Sequence, residues 1–174
     1  MIKNAVIASQ AMETLMREKG VGGVDVAADL HISPQLVSNI KRGQRKMQKD
    51  IAQASMKIYD CPEYVLELLN EFSDGFTPPV LRGKSIEKHR LALEEFTVEQ
   101  VKEVIQILED VSLVKPPGMT TEEERERIRE VIYELMDAEA AIVNLMAILA
   151  NEYAISLKKC RKERKPVWKA KGWI

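Results

Sequence analysis

Apolar residues recur at three- and four-residue intervals through most of the chain, the spacing of amphipathic helices, and the first 70 residues carry no strand signal. Val6, Ile7, Met12, Leu15 and Met16 predict a helix over residues 4–19, stopped by Gly20. A glycine-rich joint then leads into a short helix from Val24 to Leu30. Ser33 and Pro34 open a third helix, which ends at Gly43. "KDIAQASMKIYD" predicts a fourth, and Pro62 starts a fifth, "PEYVLELLNEF", at the first-turn position that tolerates proline. These five helices define an expected domain over residues 1–72.

"SDGFTPPVLRG" breaks the pattern, so residues 73–86 read as a linker. An expected helical domain over 87–160 follows, with oligomerisation or regulation as its role. It opens with two helices, "SIEKHRLALEEF" and "TVEQVKEVIQILEDV", the second capped by Thr97 with Gln100. Thr120 with Glu123 then caps the longest predicted helix, from Thr121 to Cys160, about 60 Å at 1.5 Å per residue. Along it Ile128, Ile132, Leu135, Ile142, Met146, Leu149 and Tyr153 step by threes and fours, with Glu139 the one polar break. Val131, Ala138, Ala141 and Leu145 widen this stripe beyond a narrow two-stranded contact. So long an apolar face has to be covered. The preceding helices can cover part of it, and a second copy of the chain the rest, so the seven stepping residues are the expected dimer contacts.

Composition changes this picture little; charge changes it more. The 174 residues are 45% hydrophobic and 30% charged, ordinary for a helical all-α protein, with a net charge of -1. That total hides an uneven distribution. Residues 41–57 carry six bases against Asp50, residues 120–157 nine acids against three arginines, and residues 158–174 eight bases against Glu163. Two basic patches around an acidic segment suit an anion-binding protein that stays near neutral overall. Cys61 and Cys160 have no metal-ligand spacing and are expected as free thiols. No stretch approaches the roughly 20 apolar residues of a membrane span, nor is there a signal peptide, so a cytoplasmic protein is expected. The tail over 161–174, basic and containing Trp168 and Trp173, leaves several uses open. It can be a solubilising end, a second contact to DNA backbone, or a segment docking its tryptophans on the body, a partner or a membrane.

The chemistry concentrates in "VDVAADLHISPQLVSNIKRGQRKM", residues 24–47. Ala27, Leu30, Ile32, Val37 and Ile40 point inward where two helices cross, leaving Gln35, Leu36, Ser38, Asn39 and Arg42 outward. Gln and Asn side chains donate and accept together, which matches the adenine edge in the major groove, and Leu36 suits a thymine methyl. Gln35, Leu36, Ser38 and Asn39 are therefore the expected base-reading residues. Ser33, Lys41, Arg42, Arg45, Lys46 and Lys49 are the expected phosphate contacts, which supply position and salt-sensitive affinity.

"VAADLHISPQLVSNIKRGQRKM" resembles the helix-turn-helix of the lambda-repressor-like (Cro/repressor, Xre-type) DNA-binding domains, and the resemblance covers residues 1–72. It implies a five-helix fold in which Ser33 caps the recognition helix. Pro34 and Gln35 stand at its leading edge, Val37 and Ile40 are its buried pair, and Gly43 ends it. The chain departs from the family at His31, where the turn usually has Gly. It departs again at Gly22-Gly23, where a Thr-Gln pair often opens the second helix, and at Pro34. The remaining residues carry no resemblance.

No nucleophile–base arrangement, phosphate-cradling glycine loop or metal cluster stands out, so neither an enzyme nor a cofactor is expected. His31 reads as a turn residue and His89 as a surface one. The expectation is a dimeric, sequence-specific transcriptional regulator acting on double-stranded DNA, of phage or mobile-element origin by resemblance. The alternative is a protein-interaction module, an antirepressor or a binder of a replication or host factor, using the same fold and the long helix as docking surfaces.

Overall fold

The computed structural model describes residues 2–174. The architecture is all-α: among the described residues there are eight α-helices and two strands of two residues each. No single helix among them is long and apolar enough to cross a membrane. The chain divides into two compact units. One comprises residues up to Pro79 together with Ala147–Ile174, the other Val80–Met146. In this division the last 28 residues (147 to 174) belong with the N-terminal helices.

In the first unit, β1 (Ala5–Val6) pairs antiparallel with β2 (Met47–Gln48), Val6 opposite Met47. The expected helix over 4–19 therefore begins later, as α1 (Ser9–Lys19). Two residues are too few to show a period, so this strand pair left no trace in the pattern. Val6 and Met47 are both buried, and burial of that pair fixes the local backbone as extended. After α1 come α2 (Gly23–Asp29), α3 (Pro34–Lys41), α4 (Lys49–Ile58) and α5 (Pro62–Phe72). Helix α2 packs on α3, and α1 on both α5 and α3. Their shared core includes Met12, Leu15, Val26, Val37, Ile40, Tyr64 and Leu68, each fully buried. Removing side chains of this size from water contributes about 2 kcal/mol each.

One polar relay runs through this core. Ser55 Oγ donates to the Ala52 carbonyl at 2.8 Å, so the 2.6 Å contact with Tyr64 is a bond that the tyrosine hydroxyl donates. Burial pushes the Tyr64 hydroxyl up to about 12. Tyr59 Oη donates to Asp29 Oδ2 at 2.5 Å, tying the α4–α5 junction to the end of α2. Burial first, and that carboxylate second, push its hydroxyl well above the usual tyrosine range. Cys61 and Cys160 are free thiols, and burial raises that of Cys61.

The C-terminal segment is fastened to the same unit. Asn151 Nδ2 donates to Glu18 Oε2 at 2.7 Å, and Lys158 Nζ donates to the carbonyls of Met56 and Tyr59. Those carbonyls lie at the C-terminal end of α4, where helix oxygens lack partners and a cation is favoured.

In the second unit, the two helices expected over 85–111 are one, α6 (Arg90–Asp110). The proposed cap Thr97 instead sits mid-helix, buried, its hydroxyl donating to the Leu93 carbonyl at 2.6 Å. Helix α6 is capped by His89, whose Nδ1 accepts from Leu91 N at 3.3 Å. The long helix is α7 (Glu122–Glu152), 31 residues or about 46 Å. Its capping box is displaced one residue from expectation: Glu124 N donates to Thr121 Oγ1, and Thr121 N to Glu124 Oε2. The helix does not reach Cys160. At Ala154 the backbone takes φ 51°, and Ser156 caps a new helix, α8 (Leu157–Ala170), which takes in most of the tail.

Along α7 the apolar stripe is buried on one side only, that of the residues expected to widen it. Val131, Ala138 and Ala141 are buried, while Ile132, Leu135 and Ile142 are 49%, 46% and 40% exposed. Ile128 and Met146 are half-buried, and Leu149 and Tyr153 are exposed. The residues read as dimer contacts thus form a largely uncovered apolar stripe beside the buried one.

Candidate nucleic-acid interface

Both α2 and α3 end in the same hydrogen-bonded device. At the end of α2, Ile32 N donates to the Ala27 carbonyl at 3.0 Å and His31 N to the Ala28 carbonyl at 3.2 Å. At the end of α3, Gln44 N donates to Asn39 O and Gly43 N to Ile40 O, each at 2.9 Å. This is the Schellman pattern, which requires a left-handed residue just past the helix. Gly43 fills that position with φ 70° and His31 with φ 53°. The turn from Leu30 to Ser33 is thereby fixed at one end, and the Ser33 cap fixes the other: its Oγ accepts from Leu36 N at 3.2 Å. Pro34 follows at the first helical position, where its missing N–H costs nothing.

Helix α3 is held from beneath by Val37 and Ile40, both essentially inaccessible to solvent. On its outer side, Gln35 Nε2 donates to Asn39 Oδ1 at 3.0 Å, and Arg42 Nη2 donates to the same oxygen at 3.1 Å. Arg42 Nε also reaches the Ser38 carbonyl at 3.4 Å. Gln35, Asn39 and Arg42 form a ladder along one exposed edge, each side chain restraining the next. The Asn39 amide nitrogen and the Gln35 amide oxygen lie outside these two bonds, a donor and an acceptor on neighbouring turns.

The other expected base-reading residues stand differently. Leu36 is half-buried and packs against the core, which turns it from the outer edge. Ser38 is half-buried, as Asn39 is, and its side chain takes no part in the ladder. Lys41, Arg42, Arg45, Lys46 and Lys49 are all exposed, following α3 through the loop to the first residue of α4. Ser33 is exposed, with its hydroxyl engaged in the cap. At the start of α2, Gly22 N donates to Asp25 Oδ2 at 2.8 Å.

Comparison with protein-family models, with curated proteins and with solved structures finds no match. The geometry therefore carries the functional reading. An exposed edge with paired amides, on a short helix with a buried underside, offers a defined array of donors and acceptors. Five cations immediately after it offer attraction for a polyanion. The sequence pattern reached these residues but not the ladder among them, because spacing four apart permits that bond without specifying it.

Proposed function

We propose that the chain is a sequence-specific regulator of transcription that binds double-stranded DNA. In this reading residues 1–72 are a lambda-repressor-like helix-turn-helix domain, and α3 lies in the major groove. Gln35, whose amide oxygen and second amide hydrogen stay free, pairs with an adenine edge, and Asn39 offers its amide nitrogen to a base acceptor. Arg42 orients Asn39 and, with Lys41, Arg45, Lys46 and Lys49, meets the phosphates. The Gln35–Asn39–Arg42 ladder carries the reading. It holds the two amides in place before binding, so less side-chain freedom is lost on contact.

A single short helix gives limited affinity, and two copies about 34 Å apart read a two-fold-symmetric site. The uncovered stripe Ile132, Leu135, Ile142, Leu149 and Tyr153 supports a homodimer through α7, with Ile128 and Met146 at its margin. The same stripe is the observation that favours the second reading, a docking module for a different protein.

Anisotropy titrations on genomic DNA fragments across salt concentrations test the proposal. Fragment-selective binding is expected, with selectivity falling at least tenfold in the Gln35→Ala/Asn39→Ala variant, as the loss of about 1–3 kcal/mol per amide contact requires. Binding indifferent to both substitutions overturns the assignment of α3 as reader.

A further inference from the structure

Helix α8 presents a second cationic surface that base reading does not use. Lys158, Lys162, Lys165 and Lys169 follow at steps of four, three and four residues, which aligns them on one face. Arg161 flanks that line. The other side of the helix carries the half-buried Leu157, Cys160, Val167 and Trp168. Lys158 is fastened to the carbonyls of Met56 and Tyr59 at the C-terminal end of α4, so the helix is anchored in the first unit. That end is about 15 Å along α4 from Lys49. The anchor of α8 is therefore at the opposite end of α4 from Lys49, the last base of the cluster that follows α3.

The surface is not neutralised from within. The one acid in α8, Glu163, lies 3.9 Å from Lys159, off the lysine line. Arg161 and Lys165, and Lys165 and Lys169, stand four residues apart, a spacing at which like charges repel and oppose the helix. A polyanion laid along the face relieves that repulsion. From Lys162 to Lys169 the face spans about 10 Å, and duplex DNA offers one phosphate charge per about 1.7 Å of its axis. A helix lying in a lipid surface needs a broad free apolar side instead, and in α8 that side is half-covered.

We propose that α8 is a second, sequence-independent duplex-binding element, in which Arg161, Lys162, Lys165 and Lys169 contact backbone phosphates. The choice of DNA as the polyanion rests on the regulator reading. The element extends the footprint of the chain beyond the segment read by α3 and adds affinity for any sequence.

The test measures binding of the full chain to a mixed-sequence duplex as a function of salt. In the Lys162→Gln/Lys165→Gln/Lys169→Gln variant, binding weakens at least tenfold at moderate salt. The log–log salt slope becomes shallower by about 3, one unit per lost phosphate contact. The corresponding triple Arg variant keeps the charge and restores the slope. The ratio of affinities for preferred and mixed duplexes stays as in the unaltered chain. An unchanged slope in the Gln variant overturns the α8 assignment and leaves the regulator reading standing. A shallower slope in a chain that shows no preferred duplex keeps α8 and overturns the regulator. Binding to phosphatidylserine vesicles that the Gln variant loses, with its duplex slope unchanged, overturns the proposal in favour of a lipid surface.

Discussion

At His31 the backbone takes φ 53°, a conformation in which an L side chain crowds its own carbonyl at a cost of about 1–2 kcal/mol. The Schellman bonds at the end of α2 demand that conformation, and a glycine meets it without strain. Glycine loses more backbone entropy on folding, which offsets about half the gain. His31→Gly is therefore expected to stabilise the chain by about 0.5–1 kcal/mol, read as a higher urea midpoint with an unchanged slope. A lower midpoint means that the imidazole makes a contact worth more than the strain. Much of this neighbourhood was legible in the sequence, because Ser33, Pro34, Val37, Ile40 and Gly43 act through local rules of capping, periodicity and chirality. Leu36 was not, since a residue at the margin of a helix face goes in or out according to what packs beside it. The bond from Arg42 to Asn39 was equally hidden: several rotamers of each are compatible with the spacing, and only the folded surface selects one.

Helices were legible where a cap and a period coincide. Helix α5 begins at Pro62 as expected, because the proline both starts the helix and disfavours helix before it. Helix α6 was misread as two because Thr97 has the chemistry of a cap. Once Thr97 is buried, its hydroxyl satisfies itself on the Leu93 carbonyl and the helix continues. On α7 the apolar stripe was broad, and breadth conceals phase: Val131 and Ile132 are equally apolar, yet one is buried and the other is 49% exposed. The uncovered part is the proposed dimer contact. Leu135→Glu/Ile142→Glu places charge on two exposed positions and leaves the helix caps untouched; the unaltered chain is expected to have the mass of a dimer in light scattering and the variant that of a monomer. Helical circular dichroism should persist. A mass equal to that of the unaltered chain removes α7 from the dimer interface.

Across the whole molecule, the least legible feature was the return of residues 147–174 to the N-terminal unit. Glu18 and Asn151 are 133 positions apart, and Lys158 is about a hundred from the carbonyls it caps. No local period encodes such pairings. The charge distribution was legible, and the fold gives it structural meaning: the basic stretch after α3 and the basic tail are placed in one compact unit. The proposed role of α3 is to read DNA sequence as one half of a symmetric pair. Selection of binding duplexes from a random-sequence pool tests it most directly. The expected result is an enriched two-fold-symmetric site with half-sites about 10 base pairs apart, or a multiple of that spacing, with adenine preferences that disappear in Gln35→Ala/Asn39→Ala. A pool that stays random after repeated selection, while the chain still binds duplex, contradicts it.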